Sequence, residues 1–235
     1  MSVWSARRFW TDATVHPEAG GFAVHLDARP LRTPRKAPLI LPTKALAQAV
    51  AAEWQAQEGK VNPATMPFTR TANSAIDKVA PQFAEVVAML AEYGGSDLLC
   101  YRATGPAKLI DRQAAAWDPL LDWAARELQA PLIATAGVMH IRQPEASLAT
   151  LHGAVQAMSP FQLSAFHDLV AMSGSLVLAL AVTRGRLTVE QAWELSRVDE
   201  NWQIEAWGAD EEAAEITALK HAAFVQANRF YALCG

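Results

Sequence analysis

The sequence predicts an α+β protein: a small N-terminal antiparallel β-rich module followed by a larger, mainly α-helical domain. Three observations predict it. Phe22, Val24 and Leu26 alternate with Ala23, His25 and Asp27, the period-two pattern of a half-buried strand. The period changes after Thr43, where Leu46, Val50 and Trp54 recur every fourth residue. From Phe68 onward the apolar positions read almost wholly as helix. The division falls near residue 60, which gives an N-terminal β-rich domain with the first helix over 1–60 and an α-helical domain over 61–235.

Each element has its own signal. A first strand begins over Phe9 to Val15, Gly20-Gly21 marks a turn, and a second turn follows at Asp27-Ala28-Arg29-Pro30. Leu39 to Leu41 reads as a third short strand. Pro30, Pro34, Pro38 and Pro42 confine these strands to edges or ends, because proline has no N–H to give a ladder. Thr43 is a good N-cap for the first helix, and Gly59 ends it. Trp54 is the last residue of that helix's apolar stripe and is expected in the core. Asn62 to Phe68 is a proline-punctuated loop. Helices are expected over about 68–79, 81–93, 107–129, 145–158, 160–172, 174–184, 188–207 and 210–232, separated by Gly and Pro. Leu132 to Ile141 reads as a short extended stretch. Leu176 to Val182 is apolar throughout, too short for a membrane span of ~20 residues, and is expected as a helix buried on all sides.

Composition excludes several classes. The net charge of −4 is too small to indicate nucleic acid or an anionic membrane as partner. Its distribution is uneven. Residues 1–44 hold seven basic and three acidic side chains, whereas residues 198–219 hold seven acids and no Lys or Arg. The two ends are oppositely polarised, and two solvated faces are the plain reading of that. Cys100 and Cys234 are the only cysteines, so neither a disulfide framework nor a cysteine zinc site is expected, and both should be reduced thiols. The first ten residues, with Arg7 and Arg8, show no signal-peptide pattern, and a soluble intracellular protein is expected. Eight Trp are many for this length, so several should anchor packing or line a partner surface.

Catalytic signatures are missing: no Walker loop, G-x-G-x-x-G, G-x-S-x-G or H-E-x-x-H. No cofactor, nucleotide or metal is expected. His167-Asp168 are adjacent on a helix, about 100° apart, and are not expected to face each other. Cys100 follows Leu98-Leu99 and reads as a core thiol.

One segment stands out: S-R-V-D-E-N-W-Q-I-E-A-W-G, Ser196 to Gly208. It belongs to a helix starting at Thr188, with Gln191 as capping-box partner. One stripe is Ala192, Leu195, Asp199, Trp202 and Ala206. A neighbouring face carries Trp193, Arg197, Glu200, Ile204 and Trp207. Carboxylates on apolar faces need a reason, because an unpaired buried charge is costly. Arg197 and Glu200 could simply pair at i, i+3 while Asp199 caps or bonds a neighbouring helix. Alternatively, these groups await a partner's donors.

This segment resembles the C-terminal signature S-R-x-E-E-x-[YW]-Q-I-x-x-W-G of a known family. These are the assembly chaperones (ATP-twelve chaperones) that act on the alpha subunit of the ATP synthase catalytic head. Ser196, Arg197, Glu200, Trp202, Gln203, Ile204, Trp207 and Gly208 match; Asp199 stands where the family has Glu. L-T-V-E-Q-A (Leu187 to Ala192), A-V-A-A-E-W (Ala49 to Trp54) and R-F-W (Arg8 to Trp10) also resemble family segments. The resemblance implies a β-rich N-terminal domain, a helical C-terminal domain and no enzymatic activity. It implies a chaperone that binds the unassembled alpha subunit, prevents its aggregation and delivers it for assembly. It also implies a role for an acidic residue, carried here to Glu200. The expected partner-binding set is Glu200, Asp199, Arg197, Trp193, Trp202, Trp207 and Glu205. The expected protein is a monomer without nucleic acid or membrane insertion, in a bacterial cytoplasm, or in the mitochondrial matrix if eukaryotic. Two other readings stay open: a regulatory adaptor that binds another protein, or an enzyme using Asp199 and Glu200 as acid and base.

Overall fold

The computed structural model describes residues 7–208 and 210–235. The first six residues, on which the reading of a missing leader partly rests, lie outside them. The α+β class is observed, and the chain forms two compact units.

The first unit is built on a small antiparallel sheet. Strand β1 (Ala13–Glu18) pairs with β2 (Gly21–Leu26), from Ala13 opposite Leu26 to Glu18 opposite Gly21. β2 also pairs with β3 (Arg29–Pro30) and β4 (Ile40–Leu41). The expected start at Phe9 is too early. The amides of Thr11 and Asp12 donate to the Asp27 carboxylate instead of to a neighbouring strand, so β1 begins at Ala13. At Gly21 the backbone has φ +155, and an added Cβ would collide with the Leu41 carbonyl. Glycine lets β4 close on β2 there.

Val24 and Leu26 face inward with Leu39 and Leu41, and helix α1 (Lys44–Gln55) covers them. Thr43 caps α1 by accepting the Leu46 amide, and Leu46, Val50 and Trp54 are buried. Trp54 packs edge-on to Trp10 with ring centroids 5.3 Å apart.

Where the sequence places a division near residue 60, this unit runs on to Phe83 and takes in residues 159–165 and 229–235. Side chains explain why. Glu53 on α1 accepts the amides of Phe68 and Thr69 and the Thr69 hydroxyl, capping helix α2 (Pro67–Ser74). Asp77, in a π-helical turn after α2, accepts from the Thr33 hydroxyl and the Arg35 amide. Phe230 stacks on Phe68, and the Thr43 hydroxyl donates to the Leu233 carbonyl.

The second unit comprises residues 84–158 and 166–228. Its elements are most of α3 (Phe83–Ala91), α4 (Ala107–Glu127), α5 (Glu145–Gln156), most of α6 (Pro160–Ser173), α7 (Leu176–Thr183), α8 (Val189–Ser196), α9 (Val198–Trp207) and most of α10 (Glu211–Ala232). α7 is buried from Leu176 to Val182, as its sequence demands. At about 1.5–3 kcal/mol per fully buried large apolar side chain, it is the hydrophobic centre of this unit.

Asp97, which sequence reading passed over, holds α7 in place. It is fully buried and accepts the Ser175 hydroxyl at 2.7 Å and the amides of Val177 and Leu99 at 3.0 Å. Burial pushes its carboxyl up, against these hydrogen bonds. The expected extended stretch shrinks to β6 (Thr135–Ala136), parallel to an unforeseen β5 (Tyr101–Arg102). Cys100 and Cys234 are free and buried, and burial pushes both thiols up to about 12. No helix among the described residues is long and apolar enough to cross a membrane.

Candidate functional site

The segment singled out in the sequence begins as expected. Thr188 accepts the Gln191 amide, and the Gln191 side chain accepts the Thr188 amide in return. This capping box starts α8. The helix does not continue to 207. It breaks at Arg197, where φ is −120° and ψ is 22°. The Ser196 hydroxyl bends back to the Trp193 carbonyl at 2.7 Å, and the Arg197 amide closes on the Glu194 carbonyl. Side-chain bonds of this kind compete with the helical ladder. α9 then starts afresh at Val198.

The break separates residues that helical spacing had placed on one face. Trp193 turns inward: it is 6% exposed, and its ring lies 5.2 Å from His221 and 5.5 Å from Phe224. The Arg197 guanidinium covers that ring at 5.4 Å. Glu200 and Trp207, expected beside Trp193, lie on the surface. Trp207 is 80% exposed.

The other stripe docks α9 on α4. Asp199 Oδ1 accepts from Gln113 Nε2 at 2.6 Å, while Gln113 Oε1 accepts the Ala103 amide. Glu205 makes a two-pronged pair with Arg112, at 2.8 and 2.7 Å. The same guanidinium sits 5.0 Å from the centre of the Trp202 ring. One turn further along α4, Trp117 Nε1 donates to the Leu195 carbonyl. The hydrogen bonds from Arg112 hold the Glu205 carboxyl below its ordinary value, and Arg112 is raised in return.

Asp199, Trp202 and Glu205 are therefore engaged within the chain. Glu200 keeps half of its side chain exposed, and its only ion-pair partner among the described residues is Arg197 at 3.9 Å. The α4 residues were missed, although a signal was present. Leu109, Gln113, Trp117, Leu120 and Ala124 form one buried stripe, and a glutamine interrupts it much as Asp199 interrupts its own.

His167 and Asp168 do face each other, contrary to expectation. Nδ1 and Oδ1 are 3.0 Å apart, because both side chains are short enough to swing together from adjacent Cβ atoms. The hydrogen bond raises the histidine pKa. Both side chains are nearly half exposed, and no group of three or more His, Cys, Asp or Glu that could hold a metal ion occurs among the described residues.

A family model for the ATP12 chaperone protein matches residues 7–125. The chain belongs to the ATP12 chaperone family. That match lies N-terminal to the Ser196–Gly208 segment from which the resemblance was first read. Solved structures carry the likeness through the whole chain. Atp12 from Paracoccus denitrificans is 54% identical with a TM-score of 0.95, covering 98% of this chain and 99% of that one. A point-substituted form of the same bacterial protein is also 54% identical, with a TM-score of 0.96 and 98% coverage of both chains. The mitochondrial protein atp12 of Schizosaccharomyces pombe is 25% identical over 224 residues, covering 90% of this chain and 77% of the relative.

Proposed function

We propose that this ATP12-family chaperone binds the unassembled alpha subunit of ATP synthase, keeps it from aggregating and delivers it for assembly of the catalytic head. Family membership carries the coarser statement, a chaperone of ATP synthase assembly. The choice of client rests on the Ser196–Gly208 segment, whose residues resemble the signature of the alpha-subunit chaperones. An alpha subunit without its ring neighbours exposes surface that they normally cover, and such surface aggregates. A chaperone for it must cover that surface and later yield it. That favours a moderate interface with an aromatic anchor and charges at its rim. α9 offers Trp207 at its exposed end and Glu200 on its surface.

The reading as an enzyme loses support. Asp199 is taken by Gln113, and Glu200 lies on the surface with Arg197 as its ion-pair partner. The likeness to bacterial Atp12 structures supports the reading of a bacterial cytoplasmic protein, which we take to act as a monomer. The test is a pull-down with tagged protein, followed by light scattering of purified alpha subunit diluted from denaturant. Recovery of the alpha subunit and suppressed scattering are expected. Failure of both rejects the client.

A further inference from the structure

Around the end of α9 and the start of α10 the chain buries almost nothing of itself. Every described residue from Gln203 to Lys220 is exposed except Thr217, which is half-buried. α10 reaches its first fully buried side chain only at Phe224. A helix of this length gains little from propensity alone, and most helical stability in proteins comes from packing an apolar face. These turns nonetheless carry large apolar side chains. Ile204 and Trp207 sit at i, i+3 on α9 and are 43% and 80% exposed; Ile216 and Leu219 sit at i, i+3 on α10 and are 48% and 73% exposed.

The described ends of both helices are fixed by their own bonds. Gly208 takes φ 92° and ψ 163°, a conformation open essentially to glycine alone, and its amide closes α9 on the Ile204 carbonyl. Asp210 then caps α10 by accepting the Ala213 amide. The surroundings are acidic. Asp210, Glu211, Glu212 and Glu215 are exposed, and Lys220 is the one basic residue of the stretch.

We infer that the exposed turns 203–208 and 210–220 are a docking surface for an apolar segment of the client flanked by lysine or arginine side chains, with Trp207 as its anchor. The inference rests on the client reading above and adds the chemistry of what is held. Charge complementarity selects the occupant: apolar side chains meet Ile204, Trp207, Ile216 and Leu219, while cationic flanks meet the four carboxylates. A charged rim also lets the complex form quickly and weaken with salt. The docking residues of α9 (Asp199, Trp202 and Glu205) then serve to hold this surface out, not to touch the client.

The test compares the full-length protein with Trp207→Ala and with a triple variant, Glu211→Gln, Glu212→Gln and Glu215→Gln. All four positions are exposed, so native circular dichroism is expected. Affinity for purified alpha subunit should fall about thirtyfold in Trp207→Ala, the loss typical of an aromatic hot spot. The triple variant should lose most of the salt dependence. Hydrogen exchange should show protection of 203–220 when the alpha subunit is added. Binding by the wild type that neither variant weakens overturns the surface and leaves the client standing.

If the wild type ignores the alpha subunit, the client reading fails, and a leucine–lysine peptide then judges the surface. Protection of 203–220 by that peptide, and not by a leucine–glutamate peptide, supports the chemistry. Protection elsewhere, by both peptides alike, or by neither, overturns it. Self-association of the wild type that Trp207→Ala abolishes also overturns it, in favour of a second copy as occupant.

Discussion

Two buried side chains show how differently single residues carry this fold. Trp54 was legible because it closes a four-residue periodicity, and the structure places it 5% exposed against Trp10. Trp54→Ala should cost about 3–5 kcal/mol, the usual range for an aromatic truncated in a core. Urea denaturation followed by circular dichroism measures this, and an unchanged midpoint would show that the site repacks without loss. Asp97 was not legible, because its partners Ser175 and Val177 lie far along the chain. Asp97→Ala leaves three buried donors without an acceptor, and each such donor costs about 1–3 kcal/mol. We expect a loss of roughly 3 kcal/mol or more, with a smaller loss for Asp97→Asn, which keeps the shape and one acceptor oxygen. Equal melting temperatures for wild type and Asp97→Ala would contradict this.

At the scale of elements, α9 shows how a helix is positioned by a few long-range side chains. Its underside is tied to α4 through Gln113 with Asp199 and through Arg112 with Glu205. The sign of the pH effect follows from the second pair. The Glu205 carboxyl is held below its ordinary 4.5 by the Arg112 hydrogen bonds, so the clasp is complete above that value. It is lost as pH falls through the lowered pKa. Carbon NMR should find Glu205 titrating below 4.5 in the wild type and close to it in Arg112→Ala. An unchanged titration would show that the clasp does not persist in solution. Because both groups are exposed, the overall melting temperature should hardly respond.

At the scale of the whole molecule, the two neighbouring acids of the signature should behave differently, and this separates the chaperone role from the fold. Glu200 is half exposed, with Arg197 at 3.9 Å as its ion-pair partner. Glu200→Gln and Glu200→Lys should therefore keep the native circular dichroism. On the proposed function they should impair protection of the alpha subunit, Lys more than Gln, because a cation repels a basic client. Asp199→Lys sets an ammonium against the Gln113 amide and should instead undock α9, visible as faster hydrogen exchange over 198–207 even without client. Full protection by both Glu200 variants would remove that residue from the interface. Rapid exchange of α9 in them would make Glu200 structural.

Much of the local chemistry was legible, though not the His167–Asp168 pair or the break at Arg197. The Thr43 cap, the capping box at Thr188, the alternation of β2 and the all-apolar α7 each depend on residues within one or two turns of each other, so the sequence by itself determined them, and with them the α+β class. The Ser196–Gly208 segment likewise carried the family resemblance. Tertiary structure decided what the segment's residues do. The break at Arg197 turned Trp193 inward and left Trp207 outside, and residues of α4 some 86 and 93 positions away engaged Asp199 and Glu205. Spacing along one helix gives the direction of a side chain only while the helix lasts. Whether a carboxylate is spent within the chain or left for a partner depends on donors brought from elsewhere by folding, and no local pattern contains them.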